Sequence, residues 1–180
     1  LNTNEVHITG TVEDKSKIVE FTIQGEDVEL TEEEKGVYRF DTTMEFEDGV
    51  NKLEVYAKDE FGNEASLSNS RMFYVDTTPA VVDVTAPGYV KQNVTSVNLD
   101  VNVKDNFEEL RIYVDGSEIA YHEMPGYEMN PTEKTETVEV SLEPGQNTFE
   151  VKAVDLGGNE TVKNVKRYLD FLVIPATKLQ

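Results

Sequence analysis

The 180 residues fit two domains of about 80 to 100 residues, each able to bury one modest core, and a content of 38% hydrophobic and 9% aromatic residues argues against disorder. The chain has no Cys, which excludes a disulfide framework, a thiolate metal site and a cysteine nucleophile, and no Trp, so Tyr and Phe must carry the large apolar contacts. With 36 acids against 16 bases the formal net charge is −20, which excludes nonspecific attraction to nucleic acid or anionic membrane, since both require a basic surface.

Divided at Pro79, the two parts carry −12 and −8, so the acidity belongs to both and not to a tail. A solvated, self-repelling surface and a cation-binding surface are both consistent with that distribution. No run approaches the roughly 18 apolar residues of a membrane span, and the start at Leu1 has neither the basic region nor the apolar core of a signal peptide. Without an initiator Met the sequence reads as an excerpt from a longer precursor. Small β domains that avoid Cys altogether point to an exported protein.

Taken in chain order, Val6, Ile8 and Val12 alternate with polar neighbours, as do Val19, Phe21 and Ile23. This period of two marks half-buried antiparallel strands. Gln24-Gly25 occupies the place of a two-residue hairpin turn, Thr31–Lys35 allows one helical turn at most, and Asp48-Gly49 marks another turn before Leu53, Val55 and Ala57 alternate again. Val75–Ala80 reads as a linker, short and stiffened by Pro79, so the two domains are expected to stand end to end. The domain division expected from these signals is 1–79 and 80–180.

The second half repeats the first. Val6, Ile8, Val12, Asp14, Val19, Phe21, Ile23, Gly25 and Val28 are answered 91 residues later by Val97, Leu99, Val103, Asp105, Leu110, Ile112, Val114, Gly116 and Ile119. Residues 49–64 return at 145–160 with nine of sixteen positions identical, now offset by 96, so the second copy carries a five-residue insertion. A period this long, without helical periodicity inside it, describes two tandem β domains. The second copy is predicted to place strand A near Val81–Ala86, B near Val94–Lys104, C near Glu109–Val114, a short strand near Glu118–His122, E near Thr135–Leu142, F near Asn147–Asp155 and G near Thr161–Leu172. Together these make a seven-stranded Greek-key sandwich of immunoglobulin type. Mapped back by 91 residues, strand A of the first copy falls ahead of Leu1, so that domain lacks its first strand within this sequence.

The sharpest local motif is Ala-x-Asp-x-x-Gly-Asn, at Ala57–Asn63 and again at Ala153–Asn159. It reads as a tight turn in which Gly62 or Gly158 takes a positive φ while Asp59 or Asp155 accepts bonds from turn N–H groups. With the Asp-Thr-Thr-Pro linker, the motif resembles the tandem immunoglobulin-like or fibronectin-III-like modules of bacterial surface proteins. Such modules occur in cell-wall adhesins and downstream of the catalytic domain in cell-envelope subtilisin-like proteases of the lactocepin type. The resemblance covers the whole chain and implies an exported, non-catalytic spacer or adhesion role at the cell surface or cell wall. The missing first strand is its main departure from that pattern.

Ca²⁺ competes with the turn reading. In a sandwich of this type the loops carrying Asp105, Asp155 and Asn159 are expected to face the linker that carries Asp76, and four hard oxygen donors suit a cation that takes six to eight at loose geometry. Ca²⁺ is the one cofactor the residues suggest. Catalysis has little support: His7 and His122 have no partner in sequence, and no Ser lies in a Gly-x-Ser-x-Gly elbow. The expected function is a spacer or stalk in an exported bacterial surface protein, in one version the accessory region of a cell-envelope serine protease. The expected partners are neighbouring domains of the same polypeptide, with the chain a monomer, bound to no nucleic acid and inserted in no membrane. The alternative is direct adhesion to a host protein or glycan, for which Tyr121, Tyr127 and Met129, in or beside the insertion Glu123–Lys134, are the local candidates.

Overall fold

The computed structural model describes residues 1–67, 72–91, 94–126 and 129–170, and among these every regular element is a strand. No helix among them is long and apolar enough to cross a membrane. The chain divides into two compact units, Leu1–Thr77 and Thr78–Gln180. Each is an immunoglobulin-like Greek-key β-sandwich.

The first unit contains β1 (Glu5–Glu13), β2 (Ile18–Ile23), β3 (Glu26–Asp27), β4 (Thr31–Glu34), β5 (Val37–Glu45), β6 (Gly49–Lys52), β7 (Val55–Asp59), β8 (Glu64–Leu67) and β9 (Met72–Val75). One sheet runs β1-β5-β4, the facing one β3-β2-β7-β8, and β6 pairs with β9. Alternation puts Ile8, Phe21, Ile23, Phe40, Phe46, Ala57 and Val75 into the core, where Phe21 and Phe40 pack at 5.0 Å between ring centres and Phe46 and Phe73 at 4.9 Å. With no Trp in the chain, these ring pairs supply the bulk.

The segment from Thr31 corrects the sequence reading of a helical turn. Thr31–Glu34 is a strand fully exposed to solvent, joined to β5 through the pairs Thr31↔Arg39, Glu32↔Tyr38 and Glu34↔Val37. Gly36, at φ 80°, closes the hairpin, and its N–H donates to the Glu32 carboxylate at 3.2 Å. The backbone bonds of β5 decide the outcome where side chains alone are ambiguous. A row of carboxylates on an outer strand also discourages pairing with another chain.

The second unit contains β10 (Val81–Thr85), β11 (Tyr89–Val90), β12 (Ser96–Asp105), β13 (Leu110–Val114), β14 (Ser117–His122), β15 (Thr132–Ser141), β16 (Gly145–Asp155) and β17 (Glu160–Leu169). Its sheets run β10-β12-β15 and β11-β17-β16-β13-β14. Val101, Val103, Leu99, Leu110, Ile112, Val151 and Ala153 are wholly buried between them. The hairpin from β13 to β14 turns at Asp115 (φ 48°) and Gly116 (φ 77°), and Gln24-Gly25 repeats that conformation in the first unit. Both turns have the two successive positive φ values that a two-residue hairpin requires. β15 begins at Thr132 and pairs from Thr132↔Asp105 onward, while Met124 is buried, so the ends of the insertion are structural rather than loose.

Candidate functional site

The two Ala-x-Asp-x-x-Gly-Asn segments fold into the same turn, at the junctions β7–β8 and β16–β17. In the first, Asp59 Oδ1 accepts from the N–H groups of Phe61 (2.9 Å) and Asn63 (2.7 Å), and its Oδ2 accepts from Asn63 Nδ2 (2.7 Å). In the second, Asp155 Oδ1 accepts from Gly158 N (2.9 Å) and Asn159 N (2.8 Å), and its Oδ2 from Asn159 Nδ2 (2.8 Å). Gly62 and Gly158 take φ of 84° and 90°, a region where a Cβ is strained. The residue types therefore satisfy a concrete need: each buried carboxylate replaces water with three donors from its own turn. The Asn63 carboxamide, followed by turn N–H groups, holds the Asp59 carboxyl below its ordinary value against the opposing effect of burial.

Asp105 ends β12 and is buried, with Phe107 N–H donating to its Oδ2 at 3.4 Å. Asp14, its counterpart in the first unit, accepts from Ser16 N at 2.8 Å, so the small turn after this strand is also repeated. Within the second unit one carboxylate oxygen of Asp105 and one of Asp155 lie within 4.8 Å of each other, both residues buried. Asp155 and Asn159 are joined directly, as above. Asp76 belongs to the first unit, where it follows β9, is buried, and donates its N–H to the Leu1 carbonyl at 2.8 Å.

The histidines have partners that the sequence did not reveal. His7 Nε2 lies 2.7 Å from Asp41 Oδ1, and His122 Nε2 lies 2.9 Å from Glu136 Oε1. Among the described residues neither ring bonds to a hydroxyl, as a general base activating a nucleophile would. Tyr121 is exposed, with the Arg111 guanidinium 4.1 Å from its ring centre, and Arg111 also binds Glu118 at 3.1 Å. Met129 is half-buried, and Tyr127 lies outside the described residues.

No protein-family model matches the chain, and no curated protein does. Among solved structures it is similar to the Clostridium thermocellum CbhA fibronectin(III)-like modules, at 18% identity over 93% of this chain and 86% of that one, with a TM-score of 0.48. It is also similar to dimeric latent PorU from Porphyromonas gingivalis, at 14% identity, with a TM-score of 0.36. That match takes in 93% of this chain but 18% of PorU. The fold assignment rests on strand order and register, which stand independently of both likenesses.

Two further features were missed in sequence. Lys163 on β17 reaches β10, with Nζ 3.0 Å from the Val82 carbonyl and 2.8 Å from Asp83 Oδ1, and this holds the Asp83 carboxyl below its ordinary value. Thr161 Oγ1 donates to the Ala80 carbonyl at 2.6 Å. Both contacts join residues about eighty apart, so only the sheet arrangement displays them.

Proposed function

We propose that the chain is a non-catalytic spacer in an exported bacterial surface protein, in the accessory region of a cell-envelope serine protease. The path of the chain through the second unit carries this reading. It enters at Val81, opposite Lys104, and leaves at Leu169, opposite Gly145, so that it is admitted at one end of the sandwich and released at the other. β16 alone spans eleven residues, about 35 Å at strand rise. Tension between those ends acts along the strands, and the parallel pair Tyr89↔Tyr168 and Val90↔Leu169 is loaded in shear rather than peeled open. A unit of this kind suits a load-bearing stalk. Pulling the chain from its ends in an optical trap should give two discrete unfolding steps above the forces that open a peeled hairpin. Gradual extension without discrete steps would reject the spacer reading. Specific capture by a glycan array or by extracellular-matrix proteins, lost on Tyr121→Ala, would replace it with adhesion.

A second reading follows from the closeness of Asp105 and Asp155. The proposed ligand is Ca²⁺ bound to the second unit by these two carboxylates and by the carboxamide oxygen of Asn159. Burial of two adjacent carboxylates is unfavourable unless charge or donors compensate, and a divalent cation supplies charge. A calcium titration followed by melting temperature tests it, as set out below.

A further inference from the structure

After Thr85, which lies opposite Asp100, β10 leaves β12, and the chain crosses to the other sheet of the second unit, where Tyr89 and Val90 pair in parallel with Tyr168 and Leu169. Pro87 stands in the crossing and has no N–H with which to continue the first ladder. A cleft of about 530 Å³ opens there, lined by Ala86, Pro87, Tyr89, Lys91, Asn98 and Asp100 among others. That volume lies within the roughly 300 to 1,000 Å³ of small-ligand clefts. Val90 and Val97, also in its lining, are buried and give it an apolar base.

The two sides of the cleft differ in character. Tyr89 and Tyr168 are register partners, so their side chains project on one face from strands about 4.8 Å apart, and they are 62% and 43% exposed. The Asp170 carboxylate accepts the Tyr89 hydroxyl and raises that phenol above the ordinary tyrosine value, while the Asp170 N–H is anchored on the Val90 carbonyl at 3.1 Å. The ring is therefore positioned in advance, which lowers the cost of ordering it on a ligand. On the other side Asn98 and Asp100 are exposed on β12, and Asp100 Oδ1 accepts from Thr137 Oγ1 at 2.7 Å.

Lys91 and Asp100 cancel in charge at the rim, and a chain at −20 repels polyanions, so the ligand that fits is uncharged. A purely apolar molecule would strip water from Asn98 and Asp100 and put nothing in its place. A paired peptide would find only Ser96–Leu99 of β12 ahead of the β10 ladder, fewer than the about five or six residues of an ordinary strand. A pyranose answers both sides at once, because its ring C–H groups are apolar and its hydroxyls donate as well as accept. We propose that this cleft binds an uncharged β-linked oligosaccharide, one sugar lying against Tyr89 with its hydroxyls on Asn98 and Asp100, and the next against Tyr168. Equatorial linkages keep successive sugars flat, as two side chains on one face require. Such binding adds to a stalk's mechanical role and leaves Tyr121 unused, since β14 lies four strands from β11 in this sheet, about 19 Å at strand spacing.

The test titrates cellohexaose and chitohexaose into the full chain and follows amide shifts by NMR, with maltohexaose, whose α linkages coil, as the control. Amides of Tyr89, Lys91, Asn98, Asp100 and Tyr168 should shift saturably with at least one β-linked probe, and the better of the two tells whether an acetamido group is recognised. Tyr89→Ala should weaken binding about tenfold or more, Tyr89→Phe, which keeps the ring, should retain most of it, and Tyr121→Ala should leave it unchanged. No saturable shift with either β-linked probe, equal binding of maltohexaose, or a loss on Tyr121→Ala in place of Tyr89→Ala overturns the proposal. If Tyr89→Ala does not fold, Asn98→Ala and Asp100→Asn decide: weaker binding in either supports the site, and unchanged affinity in both overturns it. Shifts at the same amides that follow protein concentration without sugar would assign the cleft to a second copy and overturn it as well.

Discussion

Val12 and Val103 occupy the same place in the two copies, one on β1 and one on β12, and differ in what covers them. Val103 is wholly buried, between Val82 of β10 and Lys134 of β15 in register, while Val12 is half-buried opposite Tyr38. Val→Ala removes two carbons, about 1.6 kcal/mol of transfer free energy at full burial. A cavity cost where the surroundings cannot collapse raises the total for Val103→Ala to about 2 to 3 kcal/mol. For Val12→Ala the transfer part is halved and solvent already reaches the gap, so the loss should be about 1 kcal/mol or less. At about 4 °C per kcal/mol for a unit of this size, the first substitution lowers melting by roughly 10 °C and the second by no more than about 4 °C. Urea or heat unfolding followed by residue-resolved NMR keeps the two transitions separate, which whole-chain signals would blend. Equal losses at the two positions would refute the reasoning, because they would mean that β1 is covered as fully as β12.

Asp59 gives a pH prediction. Its folded pKa lies below the unfolded value, so its contribution to the first unit is fully present above the ordinary aspartate value of about 3.9 and is lost as pH falls through the folded value. Protonation also relieves the charge of −20, so the quantity to measure is the difference between the native chain and Asp59→Asn. That difference should shrink between about pH 5 and pH 2, and a difference independent of pH would contradict it. For the second unit, millimolar Ca²⁺ should raise melting by a few degrees, since a hundredfold excess over Kd stabilises by about 2.7 kcal/mol. Mg²⁺ should do less and Asp155→Ala should abolish the rise; NaCl at matched ionic strength reproducing the whole effect would leave the turn reading alone. In the insertion, Met124→Ala should cost about 2 kcal/mol or more because Met124 is buried. A tolerated Met124→Ala, read by the same melts, would show that the insertion contributes no packing.

The local features were legible in sequence because their causes are local. Alternation of Val97, Leu99, Val101 and Val103 fixes which face of β12 is buried, and Asp115-Gly116 fixes the following hairpin, since a period of two and a pair of positive φ values need no distant partner. The Asp-x-x-Gly-Asn turn closes entirely within five residues. What the alternation could not convey is which edge meets which. Thr31–Glu34 became a strand because β5 offered it backbone bonds, and two residues at Tyr89–Val90 became one because β17 passes beside them. Only the tertiary arrangement disclosed that, among the described strands, β1 pairs with β5 alone and that an open groove lies beside it. The meeting of Asp105 with Asp155, fifty residues apart, is likewise a product of two strands ending at the same end of one sandwich. Side-chain periodicity is written along the chain, whereas pairing and coverage arise between segments, and distances of that kind are set only when the sheets close.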